Sequence, residues 1–215
     1  MLRYLNFVMA SGLMLMSNVS FALEGDMIKL PEPKMTGGLP LMQALKERHS
    51  TREFSPKPLP EQVLSNLLWA AAGVNRPASG KRTAPSAMNW QEIDIYVVLA
   101  EGVYRYDARQ HALLLVSKED LREATGMQDF VAEAPVNLVY VANLDRMEGV
   151  GPEQKDLYAA ADTGFIAQNV YLFCASEGLA TVVRGSVNRA ALAPRLGLDA
   201  HQEIMLAQTV GYPAR

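Results

Sequence analysis

Residues 156–177 read DLYAAADTGFIAQNVYLFCASE, the longest helical pattern in the chain, and Gly178 ends it. Ala159, Ala160, Ala161, Phe165, Ile166, Val170, Tyr171, Leu172 and Phe173 place apolar groups on nearly every side. A helix of that kind must be covered all round. In a domain of this size it is either a central helix or one wedged between two subunits.

The flanking segments supply strands. Val136 to Ala142 is a continuous apolar run of the kind found in a central strand. Ile93 to Ala100, Val103 to Tyr106, His111 to Ser117, Thr181 to Val183 and Ile204 to Val210 carry further strand patterns. Helical patterns lie at Pro40 to His49, with Leu41, Met42 and Leu45 on one side, and after Pro60, with Val63, Leu64, Leu67, Leu68 and Ala71 on one face. Short helices are predicted at Lys118 to Gly126, Asp129 to Glu133 and Asn188 to Leu196. Strands and helices mix without strict alternation, which predicts a layered α+β domain.

Arg3 followed by the apolar run Tyr4 to Met16, with Ser20-Phe21-Ala22 as a cleavage pattern, predicts a secretory leader over residues 1–22. The expected product is an exported, periplasmic protein with no stable membrane insertion. Residues 23–38 read as an extended lead-in, and residues 39–215 as one domain. Net charge is −3 and no Lys/Arg-rich run is present, so nucleic acid is a poor candidate partner. Cys174 is the single cysteine, which rules out an internal disulfide, and His49, His111 and His201 lack metal-ligand spacing.

Two polar stretches carry the candidate chemistry. Arg48-His49-Ser50-Thr51-Arg52 closes the first helix, and two guanidiniums flanking a hydroxyl offer fixed forks of donors to a phosphate. Pro85-Ser86-Ala87-Met88-Asn89-Trp90-Gln91 enters an apolar strand, where Asn89 and Gln91 can meet the edge of a planar heterocycle. The first stretch alone also reads as a solvated helix end, and the second as ordinary turn chemistry. Ser86 has no His–Asp pair to make it a nucleophile.

Taken in order, Arg48 to Phe54, a Leu/Ala-rich helix, Pro85 to Gln91, Gln168-Asn169, Val183-Arg184-Gly185 and Val210-Gly211-Tyr212-Pro213 resemble the FMN-dependent nitroreductase superfamily. Leu68 to Val74 and Arg82 to Ala87 resemble its SagB-type dehydrogenase branch. The resemblance implies a three-layer α-β-α fold with a mixed, mainly antiparallel central sheet and a long central helix at a homodimer interface. It implies that Arg48, Ser50 and Arg52 hold the FMN phosphate, with His49 beside them. Asn89 then faces the pyrimidine side of the ring, with Pro85, Ser86 and Gln91 in the same contact group. The backbone at Gly185 approaches flavin N5, where a side chain would intrude.

Arg184 precedes that glycine where many relatives carry an acidic residue, and a cation near the reduced ring would raise its potential. Arg215 is the only candidate for the basic C-terminal group that usually completes the phosphate site. The implied activity is two-electron transfer to or from a small organic substrate such as a nitroaromatic, quinone or azoline. NAD(P)H is a possible donor. The alternative is a flavin-binding carrier or accessory protein without turnover.

Overall fold

The computed structural model describes residues 27–214. The leader expected at residues 1–22 and the terminal Arg215 lie outside the described residues. The elements in chain order are β1 (Met27–Lys29), α1 (Leu41–Glu47), β2 (Phe54–Ser55), α2 (Glu61–Ala72), β3 (Val74–Arg76), β4 (Lys81–Arg82), β5 (Ile93–Leu99), β6 (Gly102–Asp107) and β7 (Ala112–Ser117). They continue with α3 (Phe130–Glu133), β8 (Val136–Asn143), α4 (Pro152–Glu177), β9 (Ala180–Arg184), α5 (Arg189–Arg195) and β10 (Gln202–Pro213).

Eight strands form one sheet in the order β1-β7-β6-β5-β8-β10-β2, with β9 also paired to β10. Each of these pairings is antiparallel. The strand β8 sits in the middle, and its alternation serves both faces. Leu138, Tyr140 and Ala142 point into a core shared with α2 and α4. Val139 and Val141 point into a second core closed by Leu192 of α5, Leu196 and Leu121. Sheet between helices gives the three layers. The small β3–β4 hairpin stands apart as a two-stranded unit.

The long helix α4 begins at Pro152, four residues before the predicted start. Proline suits a first helical position, where its missing N–H is needed least. Gln154 Oε1 accepts the Gly151 N–H at 3.3 Å, and Gly178 closes the far end in a left-handed conformation with φ 67°. Ala159, Thr163, Ile166, Ala167, Val170 and Cys174 are buried against α2 and the sheet.

Coverage on every side, as the sequence suggests, is not reached among the described residues. Leu157, Ala161, Gly164, Gln168 and Leu172 recur at i, i+4, i+7, i+11 and i+15 and form an outer stripe. Within it Leu157 is 64% exposed, and Phe165 beside it is 47% exposed. Helix α1 behaves alike: Ala44 is its buried residue, while Leu41, Met42 and Leu45, the predicted packing face, are exposed.

Candidate functional site

Both polar motifs dock on α4, at separate points. At one point the Tyr171 ring, buried on the helix, organises the first motif. Its hydroxyl lies 2.8 Å from Ser50 Oγ and accepts the Val183 N–H at 2.9 Å. The Arg48 guanidinium lies over the ring, 5.4 Å from its centre, a cation–π contact. The Thr51 N–H donates to the Thr181 carbonyl at 3.0 Å, which ties the same loop to β9. His49 Nδ1 bonds to the Glu47 carbonyl at 2.7 Å, and His49, Ser50 and Arg52 stay exposed. The loop is thus braced from behind, with Arg48 half-buried over Tyr171 and Arg52 facing outward.

The second motif docks at Asp162. The Ala87 N–H donates to Asp162 Oδ2 at 2.8 Å, and Trp90 packs edge-on against Tyr158 of the same helix. Met88, Asn89 and Gln91 all adopt positive φ, at 50°, 59° and 50°. Each costs on the order of 1 kcal/mol or more outside glycine, so the loop persists only because its surroundings hold it. Ser86 Oγ accepts the Gln91 N–H at 2.8 Å and donates to Glu92 Oε2 at 3.1 Å. The Gln91 side-chain amide donates to the Gly80 carbonyl at 3.0 Å and to Asn89 Oδ1 at 3.1 Å. Ser86 and Gln91 therefore serve as braces inside the loop, with both Gln91 donors used there. Pro85, Met88 and Asn89 are left exposed.

Glu92, at the end of this loop, is fully buried. Its carboxyl is pushed up to about 7, first by burial and then by the neighbouring Asp162 carboxyl, against the lowering effect of its own backbone N–H and of Ser86. Glu92 Oε1 has no donor. In its protonated form Glu92 would carry a donor toward Asp162. Neither acid stands out in sequence, because Glu92 sits in a polar loop end, although Asp162 is a charged residue inside an apolar helix.

Nine residues separate Asp162 from Tyr171, so the two motifs meet α4 about 13 Å apart along its axis. The cavity touching Ser86, Asn89 and Asp162 holds only about 20 Å³, far too little for a planar cofactor. A wider cavity, about 700 Å³, lies elsewhere, between β1, the Pro56–Leu59 loop and the β5–β6 turn. Among the described residues, no cavity unites the two motifs.

Gly185 and Arg184 part company. An added Cβ at Gly185 would meet only Leu206, at 3.9 Å, so nothing in this chain demands glycine there, and the strand end lies open. Arg184 turns inward, contrary to a cation beside a bound ring. Its guanidinium donates to Thr209 Oγ1 at 3.0 Å, to the Thr125 carbonyl at 2.9 Å and to Asn137 Oδ1 at 3.1 Å, all in the core. Burial pulls it down to about 10, so it remains charged at neutral pH. Gly126 makes room for it, since a Cβ there would collide with the guanidinium. Alternation in β9 sends residue 184 to the core, and sequence alone does not reveal the parity.

With this geometry in view, the sequence model of the Nitroreductase family matches residues 45–212, which takes in both motifs, α4 and Gly185. The chain belongs to the nitroreductase family. A nitroreductase-like protein of Methanocaldococcus jannaschii is 33% identical over 172 residues, covering 75% of this chain and 86% of its own length. The crystal structure of a nitroreductase-like protein from Ralstonia eutropha JMP134 is 51% identical with a TM-score of 0.85, over 89% of this chain and 91% of that one. A Desulfovibrio desulfuricans relative solved in complex with FMN shares the fold at 23% identity and a TM-score of 0.59, over 82% of this chain and 88% of its own. Among the described residues, no group of three or more His, Cys, Asp or Glu is placed to hold a metal ion.

Proposed function

We propose that this nitroreductase-family protein is an FMN-dependent oxidoreductase that works as a homodimer and passes two electrons to or from a small organic substrate, such as a nitroaromatic, quinone or azoline. The observation that carries the reading is the outward-facing Arg48–Ser50–Arg52 loop, braced on Tyr171 beside the open strand end at Gly185. FMN, when bound, supplies a ring that takes up or gives back a hydride at N5.

The rest falls to this chain. Arg48, Ser50 and Arg52 offer forked and hydroxyl donors to the phosphate, with His49 adjoining. Gly185 lets the main chain reach the ring without a side chain in between. The strained Met88–Asn89 backbone presents Asn89 to the polar edge of the ring, while Ser86 and Gln91 hold that loop in shape. Pro85 restricts its entry.

A dimer fits the two halves together. The outer stripe of α4 and the apolar side of α1 need cover, and the motifs sit apart on the same helix. A second copy across that stripe would close the seam in which the flavin lies. Gly164 sits on this stripe with open space beyond it, which suits the close approach of another backbone. Leu68 to Val74 and Arg82 to Ala87 support placement in the SagB-type branch. Residues 1–22 support export to the periplasm, where a donor other than NAD(P)H would serve because nicotinamide cofactors are scarce there.

Flavin uptake by the purified protein tests the reading. The expected result is a yellow protein reduced by NADH, NADPH or another two-electron donor and reoxidised by a quinone or nitroaromatic. Gly185→Val should abolish uptake while leaving the fold intact. A colourless protein that takes up no FMN refutes the proposal. A yellow protein that no donor reduces would make it a carrier.

A further inference from the structure

Arg82 and Gln91 border a second cavity, of about 260 Å³, at the ends of β5 and β6. Its wall carries four guanidiniums, of Arg82, Arg105, Arg109 and Arg146, against two carboxylates, of Asp94 and Asp107. Both carboxylates are already engaged. Arg146 grips Asp94 in a two-pronged pair at 3.0 and 2.8 Å. Asp107 accepts the backbone N–H groups of Arg109 and Gln110 at 2.8 and 2.9 Å and the Gln110 side chain at 3.1 Å.

Arg82, Arg105 and Arg109 take part in none of the ion pairs among the described residues. Arg82 Nε is buried and donates to nothing. A buried donor without an acceptor is unfavourable, and guanidiniums converging on one hollow repel each other. Both costs fall if an anion enters. The hollow is smaller than the pockets that take drug-sized molecules, so the anion must be compact.

We propose that this cavity binds a compact oxyanion, the phosphate or diphosphate group of a small molecule, through Arg82, Arg105 and Arg109. Planar forks of N–H donors suit phosphate oxygens, and the neutral Arg146–Asp94 pair forms a wall that adds no competing charge. The site is separate from the Arg48–Arg52 loop, and the inference does not rest on the flavin reading.

Calorimetric titration of the purified protein with orthophosphate, pyrophosphate and ADP, against a chloride control of matched ionic strength, tests it. Pyrophosphate should bind at a site that Arg52→Gln leaves intact, and Arg82→Gln should weaken that binding about tenfold or more, the loss for a charge-assisted hydrogen bond. The paired change Arg105→Gln with Arg109→Gln, of which Arg109 is exposed, should cost at least as much, which guards against misfolding of the Arg82 variant. Arg52→Gln should leave the binding in place. Tight binding of ADP would point to a nucleotide as the source, and its exclusion to an inorganic anion. The proposal is overturned if neither orthophosphate nor pyrophosphate binds above the chloride control. It is overturned equally if affinity is unchanged in the Arg82 and Arg105/Arg109 variants, or if Arg52→Gln alone removes it.

Discussion

Glu92→Gln should change how the stability of this protein depends on pH, and the size of the change follows from where Glu92 sits. Its carboxyl is fully buried, accepts from Ser86 and adjoins Asp162, and burial with that neighbour pushes it up to about 7 from an ordinary 4.5. Below the ordinary value both folded and unfolded chains hold the proton, so the contribution is fully present. As pH rises from there toward 7, the unfolded chain releases its proton while the fold retains it. Stability then falls by about 1.4 kcal/mol per pH unit. Above 7 both states are ionised and the loss levels off, at about 3 kcal/mol in all.

Glutamine keeps the shape and carries a permanent amide donor for Asp162, so this slope should vanish. Urea unfolding of both proteins at about pH 5 and about pH 8 reads the effect through the midpoint and slope. The variant should equal or fall slightly below the parent in acid, and exceed it by up to about 3 kcal/mol in mild alkali. Parallel profiles for the two proteins, with one constant offset, would refute a protonated Glu92 beneath the Ser86–Gln91 loop.

Arg184→Ala should lower stability by roughly 3 kcal/mol or more, since it removes the donor to the Thr125 carbonyl and to Thr209 Oγ1, one of two donors to Asn137 Oδ1, and opens a void; denaturant midpoints check this. In a protein that still folds, the flavin potential should stay near the parent value, because the guanidinium faces the core. Tyr171→Phe removes the hydroxyl that links Ser50 to the Val183 N–H and should cost about 1–2 kcal/mol of stability. The same variant should bind flavin more weakly, as equilibrium titration would show. In the proposed flavin-binding homodimer, Phe165→Glu places a charge beside the outer stripe of α4 and should give monomers by light scattering, with flavin lost in step.

Much of the fold was legible in the chain itself. The continuous apolar run of β8 announced a strand buried on two faces, and the helical pattern of α4 announced a long helix that needs cover all round. Pro60 and Gly178 marked helix ends because proline and glycine constrain the backbone locally. The two polar motifs stand out in the sequence by residue type and spacing, and the structure docks both on α4. The short strands β1, β2, β3 and β4 were not legible, since two or three residues carry no period.

The sequence by itself determined the α+β class, the long helix and the residue types at the candidate site, all of which rest on local pattern and side-chain chemistry. Only the tertiary structure decided which way each group faces. It turned Arg184 into the core and left Gly185 open one residue later, because strand parity is set by pairing with β10. It buried Glu92 beside Asp162, 70 residues away in sequence, and gave the strained loop its support. It also turned the apolar face of α1 and one stripe of α4 outward, where the sequence asks only that both be covered, within the chain or between subunits. Burial is a property of what packs against a surface, and for these two surfaces no part of the described chain does.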